Sequence, residues 1–274
     1  ASKRSTPPCF STIDNEIDRN IENMYYQELK NILDTKEVNK KYQKVNELNV
    51  SLDFLISKIR DYLKTIIPRK LNVEFNTIFS EFIKSEDILF DLAMNEFVKP
   101  RKTMFLNFNY TRTLDFYLFN NSDCTVDKSD ILVNNIHGRI DDGGSEIIFG
   151  FGDELDRDYS RIESETIRGF FRFIKSFWYF KTSNYHNLIR FIESRNFQVI
   201  ILGHSCGLSD RTMLNTIFEH QNCKSIKIYY HQTNKGNNFT ELTEEISRHF
   251  RDKSEMRKKI VPFDKSSPMP QVSD

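Results

Sequence analysis

The sequence predicts an α/β protein preceded by a helical N-terminal part. From residue 101 onwards, short apolar runs of strand length alternate with stretches of helix length. Before residue 101, apolar side chains recur every three or four positions, as they do on one face of an amphipathic helix. Strands that alternate with helices form a mostly parallel, Rossmann-like sheet flanked by helices, and this is the fold that we expect.

The first hundred residues predict helices. Residues 1–12 are expected to be a disordered leader, and residues 13–100 to form the helical part. Apolar stripes at residues 13–32 and 48–66 predict two amphipathic helices, and a proline ends the second of them. A third helix is predicted over residues 73–98.

The rest of the chain predicts an α/β core at residues 101–252 and a C-terminal tail at residues 253–274 that packs on the core or trails from it. Apolar runs predict buried strands at residues 104–108, 131–136, 146–149, 199–202 and 226–230. The intervening stretches predict helices at residues 111–120, 162–195 with a break at 182–184, 209–220 and 240–250.

Composition excludes several classes of protein. The 274 residues include 39 Lys and Arg and 39 Asp and Glu, so the formal net charge is zero and gives no signal for nucleic acid. The longest apolar runs fall far below the roughly 18 residues that a membrane span needs. The four cysteines lack the spacing of a disulfide framework, which predicts reduced thiols in a cytoplasmic protein. The spacings of cysteine and histidine match none of the zinc-binding patterns, so we expect no metal.

Polar residues follow three of the predicted strands, at the sheet edge where open α/β folds bind ligands. The candidates are Asn109 and Thr111 after the first strand, His137 and Gly138 after the second, and Gly203, Ser205 and Asp210 after the fourth. A histidine in such a cleft is suited to act as a general base or to contact a ribose. Glycine and hydroxyl residues let backbone amides approach a ribose or phosphate. Ordinary turn hydrogen bonding by Asn109 and a structural His-Gly turn are the alternatives.

Two further segments allow more than one interpretation. Residues 203–207 fit G-x-S-x-G, the nucleophile elbow of serine hydrolases, although no acid and histidine clearly follow Ser205 in the order that such enzymes need. The aromatic residues at 170–180 are most simply core, and a partner-binding face is the alternative.

Four ordered motifs resemble the AbiH family of bacteriophage abortive-infection proteins. They lie at residues 105–114, 136–138, 148–154 and 201–210, within a resemblance that runs from about residue 28 to residues 269–271. The resemblance implies a role in phage defence. The family is distantly similar to sirtuin-like NAD-binding domains. This similarity implies that Asn109 orients the nicotinamide ribose, His137 acts as general base, and Gly203 and Ser205 meet the adenosine side.

The sequence departs from these relatives at two places. Thr111 stands where sirtuin-like enzymes typically carry an Asp, and the family's opening strand and Gly-Asn-Gly-Phe-Asp turn have no counterpart before Ile13. We therefore expect a fragment of a longer gene product, in which the strands beside the missing one have unpaired backbone groups and exposed apolar surface. The alternative is that another segment or another chain fills the gap.

Three functions remain open at this point. The first is a phage-defence effector of AbiH type that binds a nucleotide or cleaves NAD in its full-length form, with no metal. The second is a non-catalytic sensor or interaction module for a phage component. The third is a serine hydrolase that uses Ser205. The expected partners are a phage component or further copies of the chain.

Overall fold

Two long helices open the fold. The structure is a computed structural model, and it describes residues 10–66, 72–81, 83–89, 97–119, 128–140 and 147–271. Helix α1 (Phe10–Leu33) and helix α2 (Val38–Leu63) confirm the first two predicted helices, although α2 begins earlier than its apolar stripe. Of the predicted leader, residues 1–9 lie outside the described residues, and the rest belongs to α1.

The predicted third helix over residues 73–98 is wrong. The described residues of this segment form a short helix, α3 (Phe75–Phe79), and an antiparallel pair of strands, β1 (Ile83–Lys84) and β2 (Phe97–Val98). Glu81 and Asp87 both bind the buried ammonium group of Lys227, at 3.3 and 3.2 Å. Two residues six positions apart point in directions about 120° apart on a helix, so one helix would not bring both carboxylates to the same ammonium group.

The α/β part begins with a parallel strand pair. Strand β3 (Thr103–Asn107) is followed by helix α4 (Thr113–Phe119) and by strand β4 (Ile131–Asn135), which pairs with β3 in parallel. These three elements confirm the strands and the helix predicted there. Both strands end at polar residues, so the parallel pairing places those residues at one edge.

The middle segment departs from the prediction. Residues 147–149 form no strand. The break predicted at residues 182–184 and the helix after it are confirmed, but the part of the prediction before the break is wrong, because two short helices stand there in place of one long helix. The three helices are α5 (Tyr159–Glu163), α6 (Lys175–Trp178) and, after the break, α7 (Asn184–Ser194). Gly169, with a φ of +110°, interrupts the helical path, and its carbonyl accepts a hydrogen bond from Asn49 of α2.

A second parallel sheet completes the fold. Its strands are β5 (Phe197–Leu202) and β6 (Cys223–Tyr230), and helix α8 (Arg211–Phe218) connects them. The remaining elements are β7 (Gln232–Thr233), β8 (Gly236–Asn237), α9 (Phe239–Ser247), α10 (Lys253–Lys259) and β9 (Ser267–Pro268). Strand β9, from the predicted tail, pairs with β6 in parallel and gives the order β5–β6–β9.

Two apolar cores hold these elements together. The first joins α1 and α2 to residues 147–174, and includes Tyr26 stacked on Phe151 with ring centroids 4.0 Å apart. The second surrounds β5 and β6 and is covered by α7, α8 and α9. The α/β class with parallel sheets and a helical N-terminal region is confirmed, while a single Rossmann-like sheet and the domain boundaries stay predictions.

Strands β3 and β5 each have one hydrogen-bonded neighbour within the described part of the chain. Ile200 on β5 is correspondingly 37 % exposed although it belongs to an apolar run. None of the described helices is both long enough and apolar enough to cross a bilayer.

Candidate functional site

The carboxyl ends of β4 and β5 meet at a buried histidine–aspartate pair. His137 follows β4, Asp210 immediately precedes α8, and Nε2 of His137 lies 3.0 Å from Oδ1 of Asp210. His137 is 5 % exposed. The turn at His137 uses Gly138 at a φ of +79°, which a residue with a side chain rarely adopts. The fold thus brings together two residues that lie 73 positions apart.

A buried lysine and a glutamate extend this pair. The ammonium group of Lys175 lies 2.9 Å from Oδ1 of Asp210 and 3.0 Å from Oε1 of Glu22. Glu22 belongs to α1, and its Oε1 also accepts the backbone N–H of Gly150 at 3.1 Å. Neither residue was among the candidates predicted from the sequence. The available signals were a carboxylate on the apolar face of α1 and a lysine within an aromatic run.

The charges in this network support one another. Burial alone would raise the pKa of Asp210, but Lys175 and His137 outweigh it and hold that pKa well below its usual value of 3.8. Burial also acts to lower the pKa of Lys175, but Asp210 and Glu22 outweigh that effect and raise it. Asp210 is therefore an ionised carboxylate at neutral pH, and it accepts hydrogen bonds without donating any.

The proton on His137 follows from this charge. Because Asp210 only accepts, Nε2 of His137 carries a proton, and in the neutral imidazole Nδ1 therefore presents the lone pair. Within the described residues, no hydrogen bond is made to Nδ1. An imidazole held in one tautomer by a carboxylate is the arrangement of a general base.

The turn after β5 places a second imidazole beside Asp210. Nδ1 of His204 accepts the backbone N–H of Cys206 at 3.0 Å, and its Nε2 lies 3.9 Å from Oδ2 of Asp210. Burial lowers the pKa of His204 to about 4, so this imidazole is neutral at neutral pH. The turn has positive φ angles at Gly203 (+68°) and Cys206 (+52°). His249 stabilises it through a 2.7 Å hydrogen bond between its Nε2 and the carbonyl of Cys206.

Aromatic rings surround the imidazole of His137. Phe108 meets it edge-on at 5.3 Å, and Tyr110 and Tyr179 lie nearly parallel to it at 6.2 and 6.5 Å. The ring of Phe108 also lies 4.0 Å from that of His204. The hydroxyl of Tyr179 is buried without a hydrogen-bond partner among the described residues, and burial raises its pKa. These rings exclude water and strengthen electrostatic interactions at the site.

The polar residues after β3 lie near this edge without joining the network. Asn109 is exposed, and its backbone N–H donates to Oδ1 of Asn107 at 3.1 Å. Asn107 also bonds Asn135 at 2.8 Å, so Asn107 makes the local turn contacts that were the ordinary alternative for Asn109. The hydroxyl of Thr111 lies 3.0 Å from that of Thr113.

The geometry around Ser205 differs from that of a serine hydrolase. Ser205 is half-buried, and within the described part of the chain its hydroxyl forms no hydrogen bond. The three histidines nearby bind other groups: His137 binds Asp210, while His204 and His249 bind the backbone of Cys206. Within the described residues, no hydrogen bond joins the hydroxyl of Ser205 to any of these histidines, whereas a serine nucleophile needs a base within hydrogen-bond reach.

The described residues contain no group of three His, Cys, Asp or Glu side chains arranged to hold a metal ion. Instead, the cation at the centre of the network is the ammonium group of Lys175.

Fold and site together define an α/β protein with a buried acid–histidine pair at the carboxyl ends of its parallel strands, which is where open α/β proteins bind ligands. The profile of the family described as bacteriophage abortive infection AbiH matches residues 9–232. The chain therefore belongs to the AbiH family of bacteriophage abortive-infection proteins, which the four sequence motifs predicted. No curated protein and no solved structure is significantly similar to it.

Proposed function

We propose that this abortive-infection protein binds a nucleotide, NAD or a related compound, at the carboxyl ends of β4 and β5, and that His137 acts on it as a general base. The hydrogen bond between His137 and Asp210 carries this proposal, because it leaves Nδ1 of the imidazole as the proton acceptor. The ring is also shielded from bulk water by aromatic neighbours.

Other residues take supporting roles in this proposal. The exposed amide of Asn109 and the hydroxyls of Thr111 and Ser205 contact the sugar, because they lie at strand ends and can still form hydrogen bonds. Gly138 and Gly203 let the backbone turn beneath the ligand. Asp210 does not bind the ligand directly in this proposal, because its Oδ1 is already bonded to His137 and Lys175. Its role is to hold the imidazole of His137.

The residues fit the ribosyl end of a nucleotide better than its phosphates. The described cations near the site are paired: Arg139 with Asp115 at 3.1 Å, and Arg211 with Asp153 at 3.1 Å. A diphosphate would therefore bind mainly through backbone amides, as phosphates do at strand-to-helix turns. When bound, NAD supplies a glycosidic bond to a good leaving group, and the part of the protein is to orient the ribose and accept a proton.

Replacing His137 by asparagine tests the proposal. The purified chain is titrated with NAD, NADP, ADP-ribose and ATP in a calorimeter, and its consumption of NAD is followed by chromatography. We expect His137→Asn to lower turnover about 10²–10⁴-fold, which is the usual contribution of a general base. His186→Asn, on the exposed side of α7, is the matched control and should act like the wild type. Equal turnover in both variants, or no nucleotide binding by the wild type, would overturn the proposal.

A second candidate function is that of a non-catalytic sensor for a phage component. Phe177 and Phe180, at the end of the aromatic segment, are 47 % and 72 % exposed, whereas Phe170 and Phe173 in the same segment are buried core residues. A sensor would bind its phage component equally well with and without the His137→Asn substitution, and would lose binding when Phe180 is replaced by serine.

We also propose a cytoplasmic location for the protein. The described cysteines, Cys206 and Cys223, are both buried free thiols, as is usual in a reducing compartment. Self-association stays a prediction, and it is measured by sedimentation of the purified chain.

A further inference from the structure

We infer that Lys175 and Glu22 are positioning residues that hold the Asp210 carboxylate against Nε2 of His137, so that the N-terminal helix α1 is part of the candidate site. This inference rests on the proposed role of His137 as a general base. It gives a function to a lysine and a glutamate that lie outside the strand-end motifs.

The lysine ammonium group lies between two carboxylates and donates a hydrogen bond to each. Nζ of Lys175 lies 2.9 Å from Oδ1 of Asp210, and 3.0 and 3.1 Å from the two oxygens of Glu22. The side chains of Lys175, Glu22 and Asp210 are 1, 5 and 9 % exposed. Water therefore does not replace these contacts, and each charge depends on the others for its stabilisation.

The lysine decides which nitrogen of His137 carries the proton. An ionised Asp210 accepts from Nε2–H, which leaves the lone pair on Nδ1. Without the cation, burial favours a carboxyl group that has taken up a proton from solvent. That carboxyl group donates to Nε2, and the imidazole proton then resides on Nδ1. The base is lost although no atom of His137 has been changed.

The glycines of the 148–154 motif make room for this network. A Cβ on Gly152 would lie 3.2 Å from Cβ of Lys175 and 2.9 Å from the carbonyl oxygen of Ser209. Gly150 donates its N–H to Glu22. Gly152 thus lets the backbone approach Lys175 and the residues just before α8, and Gly150, at a φ of +147°, lets it approach Phe173, which accounts for a motif that no strand-end role explains.

The tautomer of His137 tests the inference directly. The chain has six histidines, and ¹⁵N NMR of the imidazoles distinguishes Nε2–H from Nδ1–H, with His137→Asn identifying the signals of interest. At neutral pH we expect the wild type to show Nε2–H on His137, and Lys175→Met to replace it with Nδ1–H. Lys227→Met is the matched control, because Lys227 is also a buried lysine bound by two carboxylates, Glu81 and Asp87.

A milder variant keeps the test decisive if Lys175→Met does not fold. Glu22→Gln retains an acceptor for Lys175 and for Gly150 but removes one negative charge, so it is expected to shift the His137 imidazole signals, while Lys227→Met leaves them in place. Unchanged signals in Glu22→Gln and in any folded Lys175→Met would overturn the inference. If the tautomer changes as expected but the wild type binds no nucleotide, the positioning role stands and the proposed function fails.

Discussion

Replacing Lys175 by methionine is expected to destabilise the fold by about 3–5 kcal/mol at neutral pH, the usual cost of removing one partner from a buried ion pair. The ammonium group is 1 % exposed and lies 3.0 Å from Glu22 and 2.9 Å from Asp210. Methionine has a comparable length and packs adaptably, so the variant removes the charge while filling most of the volume. Two carboxylates then remain buried without their cation.

This loss should depend on pH in a defined direction. In the wild type, Lys175 lowers the pKa of Asp210 below 3.8 against the opposing effect of burial. That lowered pKa stabilises the fold above about pH 4, and the contribution disappears as the pH falls through the folded value. In the variant, burial favours the protonated carboxyl group of Asp210, and the free-energy cost of taking up that proton on folding falls as the pH falls towards the unfolded pKa of 3.8. The stability difference between variant and wild type should therefore shrink between pH 7 and pH 4.

Thermal unfolding at several pH values measures both effects. For a chain of this size the expected loss corresponds to a Tm lower by about 6–20 °C at pH 7. Arg161→Met is the control, because the ion pair of Arg161 with Asp34 is largely exposed and its removal should leave Tm unchanged. The reasoning is refuted if Lys175→Met matches the wild type at pH 7, or if its deficit is the same at pH 4.5.

Three further predictions concern folding and reactivity. Gly150→Ala should prevent folding, because the added Cβ would lie 2.1 Å from the carbonyl oxygen of Phe173. Gly236→Ala has a similar φ but open space around the added Cβ, so it should lower the free energy of unfolding by only about 1–3 kcal/mol. Thermal unfolding followed by circular dichroism compares the two variants, and equal stability of Gly150→Ala and Gly236→Ala would contradict the clash at Gly150. The thiol of Cys206, whose pKa burial raises, should resist iodoacetamide until the protein is unfolded, as intact mass measures. A fluorophosphonate probe should leave Ser205 unlabelled, and labelling would favour the hydrolase alternative.

Apolar periodicity and apolar runs predicted several elements with close bounds. Helix α1 (Phe10–Leu33) and strands β5 (Phe197–Leu202) and β6 (Cys223–Tyr230) follow the period of their apolar residues closely. The segments over residues 73–98 and 162–181 did not follow it. There, Lys227 and Asn49 bind groups from distant parts of the chain, and such contacts outweigh local preference.

In the candidate site, too, local sequence predicted some features and distant contacts decided others. Strand ends are local features, so the sequence placed His137 and Asp210 at the carboxyl edge of a parallel sheet without any knowledge of their contact. It also assigned the family, because four ordered motifs survive in the linear order of residues.

By itself, then, the sequence determined the α/β class, the family and the edge at which polar residues collect, all of which depend on neighbours along the chain. Only the tertiary structure decided that Glu22 and Lys175, 153 positions apart, pair with each other and that Lys175 also binds Asp210, the contacts from which we infer the tautomer of His137. The physical reason is that a buried charge is stable only beside its counter-charge, and the fold rather than chain order brings the two together.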